Sequence, residues 1–125
     1  MNVLLSIKPK YANAILAGEK LVEFRKLVFK REIERVYIYS SSPEQRIIGY
    51  FTIEDIISDT PVELWKQFSK VGSIAKEDFF EYFANKEVEY SIKIKSVNRF
   101  RKSKNPKEIF KNFVPPQSYM YCDEI

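Results

Sequence analysis

The segment from Val36 to Ile53 most constrains what this chain can fold into. Val36 and Ile38 alternate with Tyr37 and Tyr39, the period of a strand with one face turned to a core. Ser40-Ser41-Ser42-Pro43-Glu44 reads as a hydroxyl-rich turn, after which Ile47, Gly49, Phe51 and Ile53 mark the buried side of a long strand. Strand, polar turn, strand is an antiparallel hairpin. Set among alternating strands and helices, it argues for α+β with a mixed or antiparallel sheet and against a doubly wound parallel one. Gly49 inside the second strand predicts a bulge or a close backbone approach.

The flanking elements follow from punctuation. Asn2 to Ile7 is an apolar first strand, Pro9 suits the first position of a helix carrying Ala12, Ile15 and Leu16, and Gly18 stops that helix. Lys20 to Leu27 is the second strand, and Phe29-Lys30-Arg31-Glu32 a polar connection. Thr60-Pro61-Val62-Glu63 has capping-box spacing before a helix with Leu64, Trp65, Phe68 and Val71 on its apolar face. After Gly72, a further helix packs Phe79, Phe80 and Phe83 and shows Glu77, Asp78 and Glu81 to solvent. Glu89 to Val97 alternates as a strand, with a charged loop beyond it. Asn105-Pro106-Lys107-Glu108 opens a last helix, and Val114-Pro115-Pro116 forces an extended exit. The expected organisation is one domain, residues 1–125.

Composition removes several chemistries. There is no histidine and one cysteine, Cys122, so an internal disulfide, a His-based triad and a zinc site all lack their residues, and neither metal nor cofactor is expected. Acid–base work falls to Glu, Asp, Lys or Tyr. No apolar run approaches the about 20 residues of a membrane span and no secretory signal is evident, which gives a cytoplasmic expectation without a membrane partner. The net charge of +4 is unevenly spread: residues 1–35 hold eight basic and four acidic side chains, 36–92 five and ten, and 93–125 eight and three. Lys93, Lys95, Arg99 and Arg101 belong to a run without acids that ends at Lys107, a source of sequence-independent phosphate attraction. The plainer reading makes Lys93 and Lys95 the wet face of a strand.

The stretch from Gly18 to Lys26 concentrates charge among apolar residues. Alternation places Val22 and Phe24 on the core face and Glu23 and Arg25 together on the other, about 7 Å apart. Lys20 joins them only if the strand starts irregularly, which Gly18 permits. On chemistry alone this is an edge strand with a solvated Glu–Arg pair.

Ser6-Ile7-Lys8-Pro9, Ile15, Gly18-x-Lys20, Glu23-x-Arg25-Lys26, Tyr39-Ser40-Ser41-Ser42-Pro43, Ile48-Gly49 and Pro115-Pro116-Gln117-Ser118-Tyr119 together resemble the ASCH (activating signal cointegrator homology) domain family of the PUA-like superfamily. The resemblance implies a small PUA-like β-barrel of mixed, mostly antiparallel strands decorated by about four helices; read along the chain, the tail from Gln117 to Tyr121 is expected to lie back across the barrel mouth. It implies binding of RNA or of a modified nucleoside or nucleotide in a cationic cleft beside the barrel. The candidate ligand residues are Lys8, Lys20, Glu23, Arg25, Lys26, Ser40, Ser41, Gln117 and Ser118, with Lys93, Lys95, Arg99 and Arg101 along the basic run. The alternative is a small hydrolase, a ribonuclease or an enzyme like the family's 4-acetylcytidine amidohydrolases, with Lys20 and Glu23 as catalytic candidates. Those amidohydrolases use a lysine, a threonine and a glutamate. Lys20 matches the lysine, Glu23 replaces the threonine, and Ser69 to Ser73 offers no acid where the glutamate belongs.

Overall fold

The computed structural model describes residues 1–125. Its elements are β1 (Asn2–Ile7), α1 (Pro9–Leu16), β2 (Val22–Arg25), β3 (Val36–Ser40), β4 (Arg46–Asp59), α2 (Pro61–Phe68), α3 (Lys76–Tyr82), β5 (Glu89–Lys104), α4 (Pro106–Ile109) and β6 (Tyr119–Cys122). The strands form one sheet in the order β2-β5-β4-β3-β1-β6. Only β1 and β3 pair in parallel, and α1 lies on the crossover between them, as a parallel connection requires. The α+β fold is therefore as expected, with six strands curled into a half-barrel and four helices. The sheet's two edges, β2 and β6, share no backbone pairing.

Burial on both faces explains the apolar runs in β1 and β3. Val3, Leu5, Ile7, Val36 and Ile38 face α1 and its Ile15, while Leu4, Tyr37 and Tyr39 form the opposite face with Ile47, against which Phe110 and Phe113 pack. Each such aliphatic or aromatic side chain stabilises the fold by about 1.5–3 kcal/mol. A separate cluster covers β2: Val22 and Phe24 meet Leu64 and Phe68 of α2 and Phe79 and Phe83 beside them. The Phe24 and Phe79 rings meet edge to face at 4.8 Å. The Thr60 cap is also as expected, its hydroxyl accepting from the Glu63 amide at 3.3 Å.

Four local expectations are corrected. The second strand is confined to Val22–Arg25 because residues 20–21 are pulled toward the Ala14 and Val71 carbonyls. Phe29 is no part of a polar connection but fills the core with Ile15 and Phe51. Ile47 lies on the opposite face from Phe51, because the register shifts between Ile47 and Gly49. The charged loop beyond Val97 is strand: β5 runs unbroken to Lys104, held by pairing with β4.

Gly49 sits at that shift, where a Cβ would lie 2.4 Å from the Asn98 carbonyl oxygen. Gly49→Ala therefore spreads the β4–β5 ladder and is expected to cost about 1–3 kcal/mol. Phe24→Ala empties a ring from the α2–α3 cluster and is expected to cost about 3–5 kcal/mol. Urea unfolding of both variants checks the two values and their order.

Candidate functional site

Lys20 is drawn inward by its local backbone. Its amide donates to the Ala14 carbonyl at the end of α1, and the neighbouring Leu21 amide donates to Val71 at 2.8 Å. The segment after α2 thus lies against residues 20–21, and the Lys20 ammonium donates to the Gly72 carbonyl. Only glycine fits there, since a Cβ on residue 72 would be 2.6 Å from the Phe24 ring. Nζ also lies 3.7 Å from Glu23 Oε1 and between the rings of Tyr11 and Phe24, whose centroids are 5.2 and 5.1 Å away.

The edge-strand expectation of a solvated pair fails here. Lys20, Glu23 and Arg25 are 2%, 5% and 8% exposed, with the Gly72 carbonyl set against Lys20 and Ser6 and the tail at Ser118 against Arg25. Arg25 Nη1 donates to Glu23 Oε2 and to the Ser6 carbonyl, each at 3.1 Å, and Nη2 donates to Ser118 Oγ at 2.9 Å. Ser6 holds the tail in turn: its amide donates to the Ser118 carbonyl and its hydroxyl to that of Pro116. Burial pulls the Lys20 amine below its ordinary pKa, an effect that Glu23 partly offsets.

This cluster lines a cavity of about 980 Å³. Lys8, Lys26, Ser41 and Gln117, all anticipated from sequence, share its wall with Lys20, Glu23 and Arg25. Ser40 is fully buried beside Ser41 with an unpartnered hydroxyl, and Ser118 acts through Arg25. Lys93, Lys95, Arg99 and Arg101 lie on β5 outside this wall, and Lys93 reaches Glu54 at 3.5 Å. The wall also holds residues that were not among the ligand candidates: Lys10, Tyr11, Tyr39, Gln45 and Tyr82. Asp78 and Glu81 are exposed on α3, as expected, and also border the cavity, so three carboxylates temper its five cations. Burial raises the pKa of Tyr11, with Asp78 and Glu23 adding to the effect. The Lys26 ammonium sits 4.4 Å from the centre of the Tyr82 ring.

Glu89, at the start of β5, is fully buried with both carboxylate oxygens unpartnered. Burial pushes its pKa up to about 7, against the pull of Lys86 and Lys26.

Two stability measurements follow from these environments. Glu23→Gln leaves the Lys20 and Arg25 charges buried without a counterion and is expected to cost about 3–5 kcal/mol. Lys20→Met, which keeps the Glu23–Arg25 pair and fills the same space, costs less. Glu89 keeps its proton in the folded state to about pH 7 but, unfolded, releases it near its ordinary 4.5. Between those values the folded state binds more protons, so stability falls as pH rises through the window. Thermal melts from pH 4.5 to 8 should show Tm declining with pH, and Glu89→Gln should flatten the decline and raise Tm at pH 8.

Similarity to known proteins agrees with the fold. The ASCH domain profile matches residues 5–109. The ASCH domain-containing ribonuclease of Zymomonas mobilis is 29% identical over 118 residues, covering 92% of this chain and 80% of that protein. The large ribosomal subunit protein uL22 of Ureaplasma parvum is 27% identical over 108 residues, which are 86% of this chain but 34% of that protein. The crystal structure of ASCH from Zymomonas mobilis superposes with a TM-score of 0.91 at 27% identity, over 98% of this chain and 88% of that one. A half-barrel of this topology, matched by the profile across most of its length, places the chain in the ASCH domain family.

Proposed function

We propose that this protein binds RNA, taking one unpaired or modified nucleotide into the cavity at the barrel mouth. The observation that carries the reading is the lining of that cavity, where lysines and tyrosine rings surround a buried, oriented Glu23. The roles divide by chemistry. Lys8 and Lys26 attract the phosphate, and Tyr11 and Tyr82 present ring faces for a base. Glu23, fixed by Arg25, accepts from an exocyclic amine, and Ser41 and Gln117 add hydrogen bonds. Lys93, Lys95, Arg99 and Arg101, outside the cavity on β5, add sequence-independent attraction for the flanking strand.

A second reading is cleavage of the bound RNA, favoured by the ribonuclease name of the Zymomonas mobilis relative. Attack of a ribose 2′-hydroxyl on the adjacent phosphorus needs a base for its proton, a cation for the developing charge and a proton for the departing 5′ oxygen. The Lys20 amine, with its lowered pKa, suits the base that takes the 2′ proton; of Lys8 and Lys26, one suits the cation and the other the donor that protonates the departing 5′ oxygen. The amidohydrolase pattern fares less well, since Lys20 meets the Gly72 carbonyl where that chemistry asks for a carboxylate.

Binding of a fluorescent single-stranded RNA, titrated from about 50 to 300 mM salt, tests the first reading. Affinity should fall steeply with salt, and Arg99→Ala with Arg101→Ala should reduce the logarithmic slope by roughly 1.4, near 0.7 per phosphate contact on a single strand. Lys26→Ala should weaken binding at every salt concentration. No retention of RNA at about 50 mM salt overturns the reading. Electrophoresis of the same RNA after incubation tests the second: fragments that vanish in Lys20→Met support cleavage, and intact RNA leaves binding alone.

A further inference from the structure

A second cavity, of about 490 Å³, opens beside the first and shares Tyr39, Gln45 and Pro115 with it. Beyond that shared rim its wall carries Arg46, Lys107 and Phe113. The Arg46 guanidinium is already fixed: Nε donates to Ser103 Oγ at 3.1 Å and Nη2 to the Ser103 carbonyl at 2.9 Å. Nη1 is left for a ligand. Lys107 is exposed and joins no ion pair, while Glu44 is the one acid on this wall. The Phe113 ring is braced by Phe110, stacked at 5.6 Å, and by Tyr39, edge-on at 5.5 Å. Gln45, on the rim between the cavities, has a φ of 56°, a left-handed backbone that non-glycine residues adopt at a cost. Held this way, the rim residue belongs to both cavities.

We infer that the two cavities are successive subsites for one RNA strand. The larger takes a nucleotide, and the strand crosses the Tyr39–Gln45–Pro115 rim so that its next phosphate meets Arg46 and Lys107. The following base then lies near the Phe113 ring. The inference rests on the proposed role of the larger cavity and adds the direction in which the strand leaves it. A guanidinium fixed by two bonds loses little further freedom when it meets a phosphate, which favours Arg46 over a mobile surface cation as the phosphate's partner.

The test compares nucleoside 5′-monophosphates with 5′-phosphorylated dinucleotides, which add the internal phosphate and the following base, by calorimetry at about 50 mM salt. Dinucleotides should bind at least about tenfold more tightly than mononucleotides. Arg46→Lys combined with Lys107→Ala should remove that gain and leave mononucleotide affinity within about twofold. Should the double variant fail to fold, Lys107→Ala alone, at an exposed side chain, should remove part of the gain. Equal affinity for the two ligand lengths, or equal loss of both in the variant, overturns the second subsite while leaving the first. Binding of neither ligand overturns the role of the larger cavity and the second subsite with it.

Discussion

The Arg25 guanidinium joins the two ends of an open sheet. β2 and β6 are its free edges, and no backbone ladder closes the gap between them. Arg25 stands on β2 and spans the gap to the Ser6 carbonyl on β1 and to Ser118 just before β6. Glu23 supplies the countercharge that makes burial of this group tolerable, and Lys20 shares it. Closure of the half-barrel and construction of the cavity are therefore one event, carried by the same three side chains.

That sharing shapes what substitution can achieve. A buried ion pair contributes less to stability than its geometry implies, because desolvation offsets much of the attraction, yet removing one member is expensive. The cluster is better understood as a device for orientation. It fixes the Glu23 carboxylate and holds the Lys20 amine in surroundings that disfavour its charge. Gly72 matters for the same reason, since its bare backbone lets a carbonyl reach Lys20 past the Phe24 ring.

Local pattern was sufficient where a signal is local. Prolines at the starts of α1, α2 and α4, the hydroxyl turn before β4 and the bulge at Gly49 all follow from residue chemistry within a few positions. The irregular entry to β2 that admits Lys20 was legible as a possibility from Gly18. Burial of Glu23 and Arg25 was not, because alternation says which residues share a face and nothing of what the tail from Pro115 to Ser118 lays over it. The full length of β5 is hidden for a related reason: its basic residues look like a loop until the partner strand β4 is in place. Asp78 and Glu81 occupy a solvated helical face as expected, and only the placement of α3 brings them to the border of the cavity.

The position of β1 between β3 and β6 orders the assembly in time. Strands β1, β3 and β4 can pair once the first half of the chain exists, whereas β2 waits for β5 and the Ser6–Ser118 bonds close a loop of more than a hundred residues. Loop closure of that length carries a substantial entropic cost, and long-range pairing of this kind is slow. During synthesis, the wall formed by Pro115, Pro116 and Gln117 exists only after those residues emerge from the ribosome. A nascent or truncated chain lacking the tail thus has Lys20, Glu23 and most of the barrel, but not the completed cavity.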